Sequence, residues 1–291
     1  MKPAPFIYHD PRTVAEACDL LATHENARAL AGGQSLMPMM NFRYAMPDHL
    51  IDLNRIVELA YLRCEGDTLR IGAMTRQREL EFSPVIAEQC PVLREAIGNV
   101  GHRQTRNRGT IGGSLCHMDP AAELVNVAAL LGGKLHASSK TGTRDIAFAE
   151  FAAGYMTTSL QPDEMLVGVT LPLSARSHGY AFVEFARRHG DFAIVACSAL
   201  IVLDRNGRIA DAAIALSGLA HAPVRPASIE QALRGEKPGT EAFKAAAAAA
   251  GKLEGVADAY ITAAYRQHLA RVLTFRALEQ AATRAQERAH G

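Results

Sequence analysis

Two glycine pairs constrain this chain more than any other feature. Gly32-Gly33 follows directly on the run Ala27 to Leu30, apolar apart from Arg28, and sits within the stretch Ala31, Gly32, Gly33, Gln34, Ser35, Leu36. Gly112-Gly113 is framed by Thr110, Ile111 and Ser114. Glycine has no Cβ, so its backbone can turn sharply and its N–H groups can approach an anion closely. Each pair has a serine within two residues whose hydroxyl adds a donor, and Thr110 offers another. A glycine pair taken singly is a common structural turn. Two of them, with Arg103, Arg106 and Arg108 crowding the approach to the second, point toward an anion such as a diphosphate. From the residues alone, the arginines read equally well as a solvated loop.

The usual phosphate motifs are absent from the sequence. Gly132-Gly133-Lys134 has Ala128 where a P-loop needs its first glycine, and no Gly-x-Gly-x-x-Gly follows the first strand. With no Gly-x-Ser-x-Gly and no His-Glu-x-x-His either, a P-loop NTPase, a Rossmann dehydrogenase and a hydrolase are all disfavoured. Thirty-one Lys and Arg against thirty Asp and Glu leave a formal charge of +1, so no basic field for nucleic acid or a membrane surface exists and any phosphate chemistry is local. Five cysteines, widely spaced and without a Cys-x-x-Cys pair, exclude a disulfide framework, a zinc site of cysteine type and an iron–sulfur cluster held by this chain alone. They read as five buried thiols. The first ten residues lack a basic and apolar leader, and no apolar run approaches the roughly 18 residues of a membrane span, so the expected location is the cytoplasm.

Along the chain, a strand near Ile7, a helix opened by Asp10-Pro11 and a strand at Ala27 to Leu30 read as a βαβ unit, with a further strand at 50–53. "YLRCEGDTLRIGAM" reads as a hairpin about a Glu-Gly-Asp turn. Helices are expected at 75–82 and 91–99, and from Asp119-Pro120 through Leu131. Strands at 134–138, 143–146 and 164–171 and a short helix at 148–153 complete a mixed region, with a boundary in 172–179. Beyond it, two long apolar strands flank Asn206-Gly207, a strong hairpin signal. Alanine-rich helices follow, one through "EAFKAAAAAAG" and one over 258–288.

Three ordered stretches carry a family resemblance: "AGGQSLMP" from Ala31, "TIGGSLCHMDPAAEL" from Thr110 and "ARRHGDFAIV" at 186–195. In that order and spacing they resemble the FAD-binding medium subunit of molybdenum hydroxylases, the relatives of aerobic carbon monoxide dehydrogenase and xanthine dehydrogenase. The resemblance covers essentially the whole chain. It implies an α+β fold of the vanillyl-alcohol-oxidase (PCMH-type) class, with FAD-binding subdomains at 1–55 and 56–175 and a C-terminal sheet-and-helix domain at 176–291. It implies that Ala31, Gly32, Gly33, Gln34, Ser35 and Leu36 and then Thr110, Ile111, Gly112, Gly113 and Ser114 wrap FAD, giving backbone and hydroxyl hydrogen bonds to its diphosphate. By the same matching, Glu123 bonds polar groups of the cofactor, Leu166 approaches it, and Phe192 can lie against the flavin ring. Helix-start charge and core packing are the competing descriptions of Glu123 and Leu166. Val183 stands where some relatives carry a lysine. No residue is expected to act as a catalytic acid or base, and no metal is expected on this chain.

The implied partners are a large molybdopterin-binding subunit and a small subunit with two 2Fe-2S clusters, in a dimer of heterotrimers, with Arg187 and Arg188 as candidate partner-facing residues. Flavin can take electrons singly and release a pair, which suits relaying them to an external acceptor. Competing functions are a stand-alone reductase of the same fold, for which no proton donor is recognisable, and a flavin-free structural subunit, which would be expected to lose its glycine turns. Gly33→Asp or Gly112→Asp is expected to abolish flavin retention.

Overall fold

A computed structural model describes residues 1–173 and 178–290. The expected boundary at 175/176 lies outside the described residues.

The first body is a small parallel sheet in the order β1 (Ile7–His9), β3 (His49–Asp52), β2 (Ala27–Leu30), with α1 (Val14–Thr23) on one face and α2 (Leu36–Asn41) following the first glycine pair. β3 pairs with both outer strands, so β1 and β2 of the expected βαβ unit are not neighbours. Helix α1 begins three residues beyond Pro11, because Thr13 is the N-cap and accepts a hydrogen bond from the Glu16 N–H at 3.2 Å. Its buried residues Ala17, Cys18 and Leu21 pack on Ile51, Leu53, Ile56 and Leu59.

The second body is an antiparallel sheet built from β4 (Leu62–Glu65) and β5 (Thr68–Gly72), which form the expected hairpin, then β6 (Lys134–Ser139), β7 (Gly142–Ala147) and β10 (Met165–Pro172), in the order β4-β5-β10-β6-β7. Between β5 and β6 run α3 (Gln77–Phe82), α4 (Pro84–Gln89), α5 (Pro91–Asn99), α6 (Arg103–Arg108), α7 (Ile111–His117) and α8 (Glu123–Leu131). After β7 come α9 (Phe148–Phe151) and a two-stranded ribbon, β8 (Ala152–Gly154) with β9 (Thr157–Thr158). Asp119 does not open α8. Its carboxylate takes the Ala121 N–H at 2.8 Å, holding an extra turn that makes Glu123 the first helical residue.

The third body is the antiparallel sheet β11 (Gly179–Phe185), β12 (Val195–Leu203), β13 (Ile209–Ser217), with α10 (Ala227–Leu233), α11 (Thr240–Ala250) and α12 (Ala263–His290). Asp204 closes the β12–β13 hairpin by accepting from Asn206 and Arg208, with Gly207 at φ +72°. Strand alternation splits β12 between two cores. Val195, Cys197, Ala199 and Ile201 face α12, while Ala196 and Leu200 face the core shared with α8. Asn126 of α8, fully buried, stitches that interface by donating to Ala215 O at 3.2 Å and Ser217 Oγ at 3.0 Å and accepting from Ser198 Oγ.

Candidate functional site

The two glycine pairs meet. A Cβ at Gly32 would fall inside van der Waals contact of the Arg108 carbonyl and the Gly109 Cα, and one at Gly113 would lie 3.4 Å from the Ala31 Cβ. Polar contacts hold this approach from one side. Asn54 donates to Ala31 O at 3.0 Å, Arg76 Nη2 donates to Asn54 Oδ1 at 2.5 Å, and Arg76 Nη1 donates to Arg108 O. Burial, and then the neighbouring Arg108 charge, lower the Arg76 pKa from its ordinary value. Asn54 and Arg76 have no signature in the sequence. Their importance arises only when segments 22 and 32 residues apart are brought together.

The pairs differ in what they offer. In the first, Ser35 is the N-cap of α2 and makes no side-chain capping bond, and among the described residues no acceptor takes the backbone N–H of Gly33, Gln34, Ser35 or Leu36. Gly33 has φ +73°, the left-handed region in which glycine is favoured. Gln34 is exposed, its amide folded back on Gly32 O at 3.1 Å, and Ala31, Ser35 and Leu36 are half-buried. This is a run of free, converging donors, the arrangement that accepts an anion.

The second pair differs in that its glycine N–H groups are bonded within the protein. The Gly112 N–H is bound to Ala73 O at 2.9 Å, the Gly113 N–H to Thr110 Oγ1 at 3.0 Å and the Ile111 N–H to Thr75 O at 3.2 Å. Thr110, buried, is the N-cap of α7, and Ile111 belongs to the hydrophobic core. Gly112 is required by close packing, since a Cβ there would meet the Ala73 Cβ at 2.6 Å. Only the half-buried Gly113 and Ser114 show part of their surface on this turn. The arginines are also divided. Arg106 is committed to Glu81, at 2.9 and 3.2 Å, and to the carbonyls of Val100 and Gly101. Although burial acts to raise it, hydrogen bonds from Arg106 and Arg78 hold the Glu81 carboxyl below its ordinary value. Arg103 and Arg108 are exposed.

At the end of α7, Cys116 is exposed, yet desolvation by the surrounding protein pushes its thiol up to about 12. The backbone N–H of Leu166 faces this sulfur, and the Leu166 side chain is buried in the core. The thiols therefore do not form the uniform buried set expected, for Cys64 on the edge strand β4 is exposed as well. Glu123 is 3 % exposed, and desolvation, aided by Glu184 and Asp119, pushes its carboxyl up to about 8. Glu184 on β11 is pushed up to about 7 by burial, and its Oε2 is buried without a partner among the described residues. This second acid was not anticipated, because nothing in β11 marks it until the fold sets it near α8.

Phe192 stands 56 % exposed on the connection between β11 and β12. That connection is anchored to the turn before Glu123. Gly218 donates to Pro120 O at 2.7 Å, and Arg266 donates to both Ile194 O and Gly218 O. Gly190 lies against His102. Val183 packs against the core below α12, while Arg187 and Arg188 are exposed, Arg187 lying 5.6 Å from the Tyr260 ring centre. The structure thus joins Ala31 to Ser35 with Thr110 to Ser114, and links Leu166 to α7. Glu123 and the Phe192 connection are tied through the 118–122 turn.

Donor run, closed partner turn and buried acids suit a cofactor with an anionic centre and hydroxyl-bearing arms. Among the described residues, a side-chain oxygen of Gln77, beside Gly109, and one of Glu184 are buried without a hydrogen-bond partner. Residues 4–174 match the family described as the FAD binding domain in molybdopterin dehydrogenase, and residues 180–281 match the CO dehydrogenase flavoprotein C-terminal domain. Caffeine dehydrogenase subunit beta from a Pseudomonas species is 39 % identical, the alignment covering 98 % of this chain and 97 % of the relative. The carbon monoxide dehydrogenase medium chain of Afipia carboxidovorans is 35 % identical over 98 % of this chain and 99 % of its own. Among solved structures, carbon monoxide dehydrogenase from Hydrogenophaga pseudoflava superposes with a TM-score of 0.94 at 37 % identity, covering 98 % and 99 % of the two chains. Quinoline 2-oxidoreductase from Pseudomonas putida also reaches 0.94, at 34 % identity, with 98 % and 99 % covered. The fold is therefore the PCMH-type FAD fold with its C-terminal sheet domain, and among the described residues no helix is long and apolar enough to cross a membrane. The chain belongs to the FAD-binding subunits of the molybdopterin dehydrogenase family.

Proposed function

We propose that this chain is the electron-transfer medium subunit of a molybdenum hydroxylase. Its partners are a large molybdopterin-binding subunit and a small subunit carrying two 2Fe-2S clusters, assembled as a dimer of heterotrimers in the cytoplasm. Bound FAD supplies the redox chemistry, taking electrons singly from the clusters and passing them in pairs to an external acceptor. The chain itself hydroxylates nothing. Relatives named for carbon monoxide, caffeine and quinoline are similar to it at 34 to 39 % identity, which supports substrate selection by another subunit.

The observation that carries the reading is the unpaired N–H run from Gly33 to Leu36 facing the closed turn of α7. These donors, with the Ser35 hydroxyl, would hold the diphosphate, while Thr110 to Ser114 form the opposing wall and Ser114 adds a hydroxyl. Glu123 would exchange hydrogen bonds with the cofactor's hydroxyl-bearing arm. Leu166 gives the recess an apolar backing, and Phe192, projecting from the third body, would cover the ring and control access. The bodies 1–55, 56–175 and 176–291 act as two walls and a cover.

Ser35→Asp tests this without disturbing packing. Ser35 makes no capping bond, so α2 does not depend on its side chain and is retained, but the aspartate charge enters the donor run and repels a diphosphate. The expected result is an unchanged unfolding midpoint with FAD content reduced at least about tenfold, a difference of about 1.4 kcal/mol or more. Ser35→Asn should retain FAD. A folded Ser35→Asp chain with stoichiometric FAD would reject the assignment of the diphosphate site.

A further inference from the structure

The first body carries a cluster that the flavin site does not use. His9 ends β1, His24 is the C-cap of α1 and His49 begins β3. One ring nitrogen from each lies within 4.8 Å of the others, and all three side chains are half-buried. The sheet register explains the meeting. His9 pairs with Ile51 across the ladder, so His9, Ile51 and His49 point to one face, the face covered by α1. There the C-terminus of α1 presents His24, whose ring lies 4.0 Å from that of His49 and 5.0 Å from that of His9.

We infer that His9, His24 and His49 form a binding site for one late first-row divalent cation of the zinc, cobalt or nickel type. His9 Nε2 and His49 Nδ1 lie 3.0 Å apart, sharing one proton. Two nitrogens bound to one tetrahedral ion at about 2.0–2.1 Å would stand roughly 3.3 Å apart, so replacing that proton by a metal needs a displacement of only a few tenths of an ångström. His24 is stacked on His49 with 11° between the ring planes, so its nitrogen reaches a shared ion by rotating out of that stack. Among the described residues no carboxylate is ion-paired with any of the three rings, and an all-imidazole ligand set suits a borderline cation rather than calcium or magnesium. Three protein ligands leave a fourth position for water. The site lies at the beginning of β2 and β3, whereas Gly32-Gly33 follows the end of β2. Four residues at about 3.3 Å each separate the two ends.

The test uses the full-length, tag-free, FAD-loaded chain, stripped with chelator and dialysed against Zn(II), with Co(II) as a spectroscopic probe. One equivalent of bound zinc is expected, together with visible Co(II) ligand-field bands that Zn(II) abolishes. His24→Gln should weaken zinc binding by at least about tenfold while FAD content stays the same, because losing a direct ligand costs no less than disturbing a supporting one. The triple variant His9→Gln, His24→Gln, His49→Gln should bind no zinc in excess of a non-specific background, and His221→Gln should bind normally. A parent chain that takes up no zinc would overturn the inference and leave a packed imidazole stack. Uptake unchanged in folded His24→Gln would overturn it equally, and serves as the test should the triple variant fail to fold.

Discussion

Glu123→Gln should flatten the pH dependence of stability, and the size of the effect follows from the burial of one carboxyl. In the folded chain the Glu123 value stands at about 8 against an ordinary 4.5. Between those limits the folded protein keeps a proton that the unfolded chain has lost, so the stabilisation is fully present below 4.5 and is lost as the pH rises toward 8. Each pH unit in that window removes about 1.4 kcal/mol. Glu184, raised to about 7, acts in the same direction and titrates with Glu123 as a pair. From about pH 5.5 to 7 both acids therefore contribute, roughly 2.7 kcal/mol per unit in the parent against about 1.4 in the variant. The variant's advantage over the parent should widen by about 2.7 kcal/mol between pH 5.5 and 7.5. Urea unfolding of the FAD-free chains at three pH values, followed by far-ultraviolet circular dichroism, reads this directly. Parallel plots for parent and variant would show that Glu123 is ionised in the folded protein and refute the burial argument.

Three other outcomes are expected. Asn126→Leu removes the amide that binds Ala215 O, Ser217 and Ser198 in a fully buried interface, and should cost about 2–4 kcal/mol, seen as a lower urea midpoint at unchanged slope; a neutral effect would mean the interface repacks. Arg76→Met should lower FAD retention about tenfold by releasing Asn54 and the Arg108 carbonyl, and Arg76→Lys should not restore it, since an ammonium cannot span both acceptors; normal FAD content in either folded variant would count against the clamp. In iodoacetamide labelling at about pH 8 read by peptide mass, Cys64 should react first, and Cys116 should lag it through a thiolate fraction roughly a thousandfold below that of an ordinary thiol, with Cys90 and Cys197 silent until unfolding. Equal rates at Cys64 and Cys116 would contradict the desolvation of Cys116.

The strands were legible because alternation and turn residues are local signals. The hairpins at 62–72 and 195–217 and the strand entering Gly32-Gly33 all lie where the sequence places them. Helix starts were less legible, since an Asp-Pro pair can serve an extra turn instead of a cap, as Asp119 does. Helices α6 and α7 gave no helical signal. Arg103 to Arg108 has no apolar face, and α7 carries two glycines in its first turn that disfavour helix, offset by the Thr110 cap and the packing of Gly112 on Ala73. Most of the candidate site was visible as motif, but Asn54, Arg76 and Glu184 were not. Each acts through a partner distant in the chain, and no local pattern records such a pairing. The commitment of Arg106 to Glu81 was hidden for the same reason.

The division of labour between the glycine pairs has a physical consequence for the whole molecule. Among the described residues the first turn keeps its N–H groups without protein acceptors, whereas α7 beside it is locked to Ala73 and Thr75 just beyond β5. Helix α8 extends the same logic to the third body. It carries Glu123 in its first turn and Asn126 one turn later on a neighbouring position, so the buried carboxyl and the amide that grips β12 and β13 are fixed by one rigid element. Gly218 adds a second tie at Pro120, immediately before that helix. The acid and the Phe192 connection are therefore positioned by the third body as much as by the second. The C-terminal domain is in this way tied to α8 and the turn before it by the end of β13 and the turn that follows.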